Sequence, residues 1–458
     1  KDSGKIADAR AQFEQIIKQF EKHPEALSST WRAAQCRRDE AVHAIAVARI
    51  TLAKQGAKPE ELAAAAKAIT DSSTALLQSA DALKSESAKR AATKTPVSEN
   101  QLRLFYEAAW CYRALAELEI EAARQKAGAK TLEKVLENIK KTAPPTQPPP
   151  VLAGPAIALA EIPVQPAEKS ARDQYTALIN AAPSAPLAIR ARLELAEMHL
   201  TRGRPDAALE LLELALEDNP AADMRDRIRV ALAAALVALN DTKSALVQTQ
   251  IVLKNPASAA AGDALYVSGE ASIQAKDWNN ALTQLVAFKD KDPFRNMNTL
   301  TERALMRLGF AFAQANRWDE SRQSYEQVVQ RFGNSAFIHD ARFNTALAWQ
   351  KMNQHDNAYN NFNDVARRNS GDIAARSQLQ MGLIRLAQKR WAEAAKDLLV
   401  VPIYDTPELS AEALTEAGQA FIELKQPAEA KKALESVLKD FAASKWAETA
   451  KTRLATIK

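Results

Sequence analysis

Glycine, aromatic residues and strand-type segments are all scarce in this chain of 458 residues. There are 12 glycines, and aromatic side chains make up 6% of the sequence. Segments rich in valine, isoleucine, threonine and tyrosine, which favour strands, are hard to find anywhere in it. Alanine dominates instead, accompanied by leucine, glutamate, lysine, arginine and glutamine, which favour helices. The composition therefore predicts an all-α protein.

Cysteine is rarer still, with only 2 residues in the chain. Cys36 and Cys111 form no CxxC motif and have no metal-type spacing, which gives no support to a zinc site or a redox motif. They lie in apolar helical segments close to Trp31 and Trp110, and this favours two buried thiols. A disulfide between them is the alternative, and it would imply an oxidising compartment.

Long apolar runs and long runs of like charge are also missing. No stretch approaches the roughly 18 apolar residues that a membrane-spanning helix requires. The 61 basic and 56 acidic residues are interspersed and leave a net charge of +5, a weak field that gives no support to nucleic-acid binding. Because the chain begins at Lys1 rather than at a methionine, the lack of a leader sequence carries no information on location.

The motifs of common enzyme classes are absent as well. The sequence has no phosphate-binding loop motif, no dinucleotide-binding glycine motif and no HExxH motif. Its 5 histidines are far apart, and no two of them have ligand spacing: His23, His43, His199, His339 and His355. Carboxylates such as Glu194 and Glu197 fall beside arginine and lysine, and we interpret them as solvated surface charge. We therefore expect neither catalysis nor a bound cofactor or metal.

What the chain does contain is a repeat with a period of 36 to 40 residues. An anchor position in each unit carries a small residue: Ala208, Ala245, Ala281, Ser321, Ala358, Ala394 and Ala430. Twelve residues before each anchor stands another small residue: Ala196, Ala233, Gly269, Gly309, Ala346, Gly382 and Gly418. Four residues after each anchor the side chain is bulky in six of seven units: Leu212, Thr249, Leu285, Tyr325, Phe362, Leu398 and Leu434. Because antiparallel helices cross closely only where small residues meet, this pattern predicts seven stacked helix pairs.

Polar and helix-breaking residues stand between the two helices of each predicted pair, as at 202–205 and 240–241. Tryptophan recurs three residues before the anchor, at Trp278, Trp318 and Trp391. We expect these rings to cap the turn between the two helices rather than to bind a ligand.

This register resembles the tetratricopeptide repeat (TPR), in which Leu-Gly and an aromatic residue precede an Ala, a bulky residue and a Pro. Leu308 and Gly309 with Phe312 match the first half of that motif. The second half is matched by three residues: Ala208, Leu212 and Pro220. The resemblance therefore extends over both helices of the repeat.

The resemblance covers 189–445, with a partial unit at 168–186. Two residues depart from the motif, since Ser321 replaces the anchor alanine and Gly333 stands where proline is expected. Membership of the TPR class implies a right-handed α-α superhelix, a solenoid whose first helices line a concave binding surface.

Several junctions between repeats read Pro-x-Ser or close to it, as at Pro183-Ser184 and at 333–335. This style of junction is similar to that of envelope-associated TPR proteins of bacteria, and the segment 376–382 resembles a planctomycete-type TPR family. The resemblance implies a periplasmic or cell-envelope location, with a cytoplasmic location as the alternative.

The first third of the chain is helical but does not follow the repeat. Apolar residues spaced by three and four predict two long helices separated by Gly56 and Pro59, and hence an antiparallel hairpin at 29–85. We expect this hairpin to protrude; the alternative is that its helices continue the solenoid as enlarged repeats. Further helices are expected at about 98–125 and about 130–141.

Five prolines in nine residues follow and exclude a helix there. We interpret 143–156 as an extended connector between an N-terminal helical region, 1–142, and the solenoid, 157–458. The solenoid comprises about seven helix pairs, a partial first unit and a C-terminal capping helix. A docking site for a proline-reading domain is the alternative for the connector.

With the small Ala or Gly of the first helix counted as position eight of a TPR unit, the groove-facing second position is charged in all seven units. The groove-facing fifth position is apolar or aromatic in six of the seven. Among them we predict a partner-binding set: Arg227, Tyr266, Arg303, Met306, Phe343 and Arg376. Packing between neighbouring repeats is the alternative for the apolar members. We expect a non-catalytic scaffold that binds a peptide or helix of a protein partner. A structural subunit that self-associates through its ends is the alternative function.

Overall fold

The computed structural model describes residues 3–21, 23–54, 56–91, 97–142, 157–297 and 299–457. Within these ranges the regular structure consists of α-helices and three short 3-10 segments, without a strand. The predicted all-α fold with TPR-like repeats is therefore confirmed.

The N-terminal third forms four helices: α1 (Ser3–Gln19), α2 (Pro24–Ala53), α3 (Pro59–Ala91) and α4 (Glu99–Thr142). Gly56 lies in the turn between α2 and α3 with a φ of +76°, a conformation that glycine adopts at no steric penalty. Leu27 packs with Leu83, and Ile45, further along α2, packs with Leu76, so the two helices run antiparallel as predicted.

The hairpin does not protrude, and that expectation is wrong. Ile45 of α2 and Leu76 of α3 share one buried cluster with Tyr106 of α4. The Arg38 guanidinium also binds the Glu107 carboxylate across 2.5 Å, and both side chains are largely buried. The third long helix therefore covers the inner face of the hairpin, because two helices alone would leave that apolar seam in water.

The two helices expected near 98–125 and 130–141 are in fact one, because α4 continues through Gly128 for 44 residues. An interior glycine weakens a helix by about 1 kcal/mol, which packing readily offsets. Val135, beyond the glycine, is fully buried in a cluster with Leu379 and Val401. The predicted connector, 143–156, lies outside the described residues.

Seventeen further helices follow in the described part of the chain. The partial unit and the first three pairs are α5 (Pro166–Ala181), α6 (Pro186–Thr201), α7 (Pro205–Glu217), α8 (Ala222–Ala238), α9 (Thr242–Leu253), α10 (Ala261–Gln274) and α11 (Trp278–Leu285). The remaining helices are α12 (Ala287–Asp290), α13 (Leu300–Gln314), α14 (Trp318–Arg331), α15 (Ile338–Lys351), α16 (His355–Arg368), α17 (Asp372–Ala387), α18 (Trp391–Leu398), α19 (Pro407–Glu423), α20 (Pro427–Asp440) and α21 (Ala447–Ala455). The 3-10 segments are Leu159–Glu161, Phe294–Asn296 and Val401–Tyr404.

Small residues lie where the helices of a pair cross, as the repeat predicts. A Cβ atom placed on Gly309 would lie 2.7 Å from the Tyr325 ring, and one on Gly418 would lie 2.6 Å from the Leu434 side chain. Such distances are shorter than van der Waals contact. Each glycine therefore allows the bulky side chain sixteen residues later to fill the space over the backbone.

Ser321, which replaces the anchor alanine, is accommodated without an unsatisfied polar group. Its side chain is 1% exposed, and its hydroxyl donates to the Gly309 carbonyl oxygen at 2.8 Å. Serine is little larger than alanine, so the close crossing is kept while the hydroxyl finds an acceptor.

A recurring turn joins the two helices of six pairs. The second residue after each of these first helices has a left-handed φ of 56° to 67°: Gly203, Asn240, Asn316, Asn353, Lys389 and Lys425. The next N–H donates to a carbonyl five residues earlier, as from Arg317 to Phe312 at 2.8 Å. This Schellman cap reverses the chain. The three repeat tryptophans are each the first residue of the following helix.

The described residues group into two compact units. The first contains those within 1–123 and 158–274, and the second contains those within 124–157 and 275–458. The predicted division of the chain at 143–156 stays a prediction.

Candidate protein-interaction surface

The six residues predicted to bind a partner lie on first helices in both units. In the first unit α8 carries Arg227 and α10 carries Tyr266. In the second unit the predicted residues are Arg303 and Met306 on α13, Phe343 on α15, and Arg376 on α17. The predicted set is therefore divided between the two units.

The fifth position of the first helix serves packing in four of the seven repeats. Its members there are 0 to 8% exposed: Leu193, Val230, Leu379 and Thr415. Tyr266, Met306 and Phe343, in the middle of the row, are only half-buried. The predicted apolar row is thus mostly core, and only these three members retain surface for a partner.

The three half-buried side chains also contribute to packing. The Phe343 ring meets the buried Phe362 ring edge-on, with 5.3 Å between the centroids. Tyr266 packs against a buried cluster that includes Val230 and Ala264. Both side chains therefore contribute to packing, while their role in binding stays a prediction.

The three predicted arginines are exposed, in contrast to the apolar row. Arg376 binds Asp372, one turn earlier on α17, at 2.6 Å, with more than half of both side chains exposed. An exposed ion pair of this kind contributes little stability, so the guanidinium can exchange Asp372 for a carboxylate of a partner.

A buried charged network in the first unit was missed by sequence reasoning. Arg113 of α4 binds Glu194 and, at 3.2 Å, Glu197, both on α6. Glu194 is only 4% exposed, so its assignment as solvated surface charge is wrong. Burial raises the pKa of Glu194, and the Arg113 guanidinium opposes that shift.

Trp110 of α4 lies between two cations of the same unit. The Arg38 guanidinium is 5.3 Å from its ring centroid, and the Arg113 guanidinium is 5.5 Å from it. The Glu107 carboxylate is held by Arg38, although burial raises its pKa. A hint was available in the sequence, since Glu107 and Arg113 interrupt the apolar residues of α4.

A concave pocket of about 670 Å³ also opens in the first unit. The starts of α4, α6 and α8 form its walls, with Leu102, Leu187 and Met224 as apolar lining. Arg103 and Arg190 supply positive charge at its edge. The sequence contained no signal for this pocket, because its walls come from three separate segments.

Both thiols are free in this structure. Cys111 is fully buried, and burial raises its pKa to about 12, whereas Cys36 is only partly buried. Among the described residues, no cluster of His, Cys, Asp or Glu has the arrangement of a metal site. None of the described helices combines the length and apolar character needed to cross a membrane.

Three segments match family models described as tetratricopeptide repeat. One model matches 303–335 and 412–444, and a second matches 169–223. The segment 303–335 covers α14 with most of α13, and the segment 412–444 covers α20 with part of α19. None of the curated protein sequences compared with the chain matches it.

Several solved structures are similar at low sequence identity. A STAND ATPase with a TPR sensor from Pyrococcus horikoshii is 15% identical, with a TM-score of 0.46 over 83% of this chain. The match covers 55% of that protein, so the chain spans about half its length. A TPR protein from Parabacteroides merdae is 18% identical, with a TM-score of 0.37 over 64% of this chain and 99% of that one. Yeast Tom70 is 13% identical, with a TM-score of 0.36 over 99% of this chain and 97% of that one.

The family-model matches support the repeat class and not the narrower resemblance to envelope-associated or planctomycete-type proteins. Repeats of this class are typically non-catalytic, and they indicate a protein-interaction scaffold. The paired helices, the small residues at their crossings and the matched segments together identify a chain that contains tetratricopeptide repeats.

Proposed function

We propose that the chain is a non-catalytic scaffold whose second unit binds an amphipathic segment of a protein partner. The observation that carries this proposal is the uneven burial of the fifth-position row. Met306 and Phe343 keep exposed apolar surface, whereas Leu379 and Thr415, at the equivalent position, are buried. Exposed apolar side chains on the binding face of a repeat array favour contact with another polypeptide.

The flanking charges favour a partner that carries carboxylates. Arg303 and Arg376 are exposed on first helices of the same unit. A guanidinium pairs with a carboxylate through two parallel hydrogen bonds, which gives orientation as well as attraction. The proposed ligand is therefore a segment with apolar side chains on one side and acidic side chains beside them.

The test starts with isolation of the native complex through a tag on the full chain, followed by affinity measurement with the purified partner. Arg376→Glu reverses an exposed charge on α17 without touching the core. Its matched control is Arg368→Glu on α16, since Arg368 is 60% exposed and also pairs one turn away, with Asp364. We expect at least a tenfold loss of affinity for Arg376→Glu and none for the control.

A second set of variants tests the apolar contact. Combining Met306→Ala and Phe343→Ala should weaken binding further, with circular dichroism as the check on folding. Met306→Ala alone is the cleaner variant, because Phe343 also packs on Phe362. Unchanged affinity of the folded variants for the partner would exclude this surface.

Self-assembly through the ends of the array is a weaker candidate. The last helix, α21, covers the final repeat: Arg453 donates to the Thr415 carbonyl oxygen at 2.7 Å and pairs with Glu416 at 2.9 Å. Trp446 and Leu454 pack against the same repeat. With α21 packed against it, this face of the repeat is not open for stacking of one molecule on the next.

The proposed location is the cell envelope, as the style of the repeat junctions suggested. Fractionation of the source cells, with the chain detected by antibody, tests it. Recovery in the cytoplasmic fraction alone would refute the proposal without affecting the scaffold function.

A further inference from the structure

The outward side of α2 carries an apolar face without a partner among the described residues. The α2 outer face comprises Asp39, Val42, His43, Ala46, Val47 and Ile50, and Lys54 follows one residue beyond the end of the helix. Ile50 is 72% exposed, Val47 50% and Val42 47%. The opposite side of the helix is buried, through Ala41, Ile45 and Ala48.

This concentration of exposed β-branched residues on one helix face is notable within the described chain. Val42, Ala46 and Ile50 follow one another at intervals of four residues and so form a single row on the helix. On α9, by comparison, Val247 and Ile251 are exposed at 54% and 38%. An exposed apolar row of this kind favours contact with another protein surface.

The order of residues along the row is self-complementary. Val42 and Ile50 stand four residues on either side of Ala46, with Asp39 beyond one end and Lys54 beyond the other. Against an antiparallel copy, Val42 faces Ile50 of that copy, and Asp39, seven residues before Ala46, comes close to its Lys54, eight residues after Ala46. Ala46 then lies near the two-fold axis, where a small side chain lets the helices approach closely.

We propose that the α2 outer face binds the same face of a second copy of this chain, with the two α2 helices antiparallel. The charges select this orientation, because a parallel pair would place Asp39 beside Asp39 and Lys54 beside Lys54. The inference concerns a different surface from the proposed groove and does not depend on it.

Both charged groups are accessible for the contact. The Asp39 side chain is 44% exposed and touches Arg38 at 2.9 Å. The Lys54 side chain is 62% exposed and lies 4.0 Å from Glu61. Exposed pairs at the rim of an interface contribute more to orientation than to affinity, so the apolar row supplies most of the attraction.

The expected dimer is weak and reversible. A single pair of helix faces covers less than the roughly 1,200 Å² of the smallest standard interfaces. We therefore expect dissociation on the order of 100 µM, so that the dimer is populated only in concentrated solution.

Sedimentation velocity of the full chain over roughly 5 to 500 µM tests the dimer. The wild-type sedimentation coefficient should rise with concentration, and Ile50→Glu should raise the dissociation constant at least tenfold. Val247→Glu is the matched control, because Val247 is also a β-branched residue that is more than half exposed, at 54%, but lies on α9, and it should behave as wild type. A wild-type chain that stays monomeric, or equal effects of the two variants, would overturn the proposal.

Cross-linking tests the orientation. In a Cys36→Ser background, Ala46→Cys should form an intermolecular disulfide on mild oxidation, since the two sulfur atoms meet near the axis. Val42→Cys should not, because its counterpart in the second copy lies about 12 Å away along the helix axis. Disulfides of equal yield at both positions would refute the antiparallel arrangement.

Discussion

Gly309 offers the sharpest test of the helix crossings, because the space over it is occupied by one identified side chain. The perturbation is Gly309→Ala. Its new methyl carbon would lie 2.7 Å from Cζ and 2.8 Å from Cε1 of Tyr325, a ring that is 4% exposed. The ring or the helix must move to relieve this contact.

Two opposing terms set the magnitude. Forcing a methyl group into a packed crossing destabilises by about 1–3 kcal/mol. Replacing glycine by alanine inside a helix stabilises by about 1 kcal/mol. The net change expected for Gly309→Ala is therefore a destabilisation of about 1 kcal/mol.

The refuting experiment is a double-mutant cycle with Tyr325→Ala. Once the ring is gone, the methyl group meets no obstacle, and Gly309→Ala should stabilise by about 0.5–1 kcal/mol. Hydrogen exchange of α13 and α14 is the appropriate assay, because repeat arrays need not unfold in one step. Gly333→Ala is the control, since a Cβ there meets nothing within 4 Å. If Gly309→Ala had the same sign and size in both backgrounds, the steric account would be wrong.

Three further predictions concern a buried hydroxyl, a left-handed turn residue and a paired carboxylate. Ser321→Ala should destabilise by about 1 kcal/mol in urea denaturation, because its hydroxyl donates to the Gly309 carbonyl in a buried crossing. Lys389→Gly should stabilise by about 1 kcal/mol, since Lys389 has a φ of +58° that penalises a Cβ atom, and an unchanged melting curve would contradict this. The pKa of Glu168 lies below its ordinary value of 4.5. Burial alone would raise this pKa, but the hydrogen bond to Arg202 and the charges of Arg172 and Arg202 outweigh burial. That stabilisation is present above pH 4.5 and is lost as the pH falls through the lowered pKa, so Glu168→Gln should flatten the acid limb of a pH–stability curve.

The arrangement within each helix pair was predictable because its determinants lie close together in the sequence. The small residue, the anchor and the bulky residue fall within sixteen positions, so the register of Gly309, Ser321 and Tyr325 was readable directly. The turns were equally local, since glycine or asparagine in a left-handed conformation ends four of the first helices. For the same reason the three tryptophans were expected at the turns, and they begin the second helices.

The candidate surface was predictable only in part. Its positions follow from the repeat register, which placed Arg376 and Phe343 on first helices as the structure has them. Their exposure does not follow from that register. Leu379 and Met306 occupy the same site in two repeats, yet one is buried and the other half-buried, because neighbouring helices determine what covers each side chain.

The sequence by itself determined the helical class, the repeat register and the turns, because helix propensity and close packing act over a few helical turns. Only the tertiary structure decided that α4 runs unbroken through Gly128, that it covers the hairpin, and that Glu194 is buried. Arg113 and Glu194 are 81 residues apart, and no local sequence pattern predicts their ion pair. Contacts of such long range depend on which faces meet after the chain has folded, and a periodic pattern along one helix does not specify its distant neighbour.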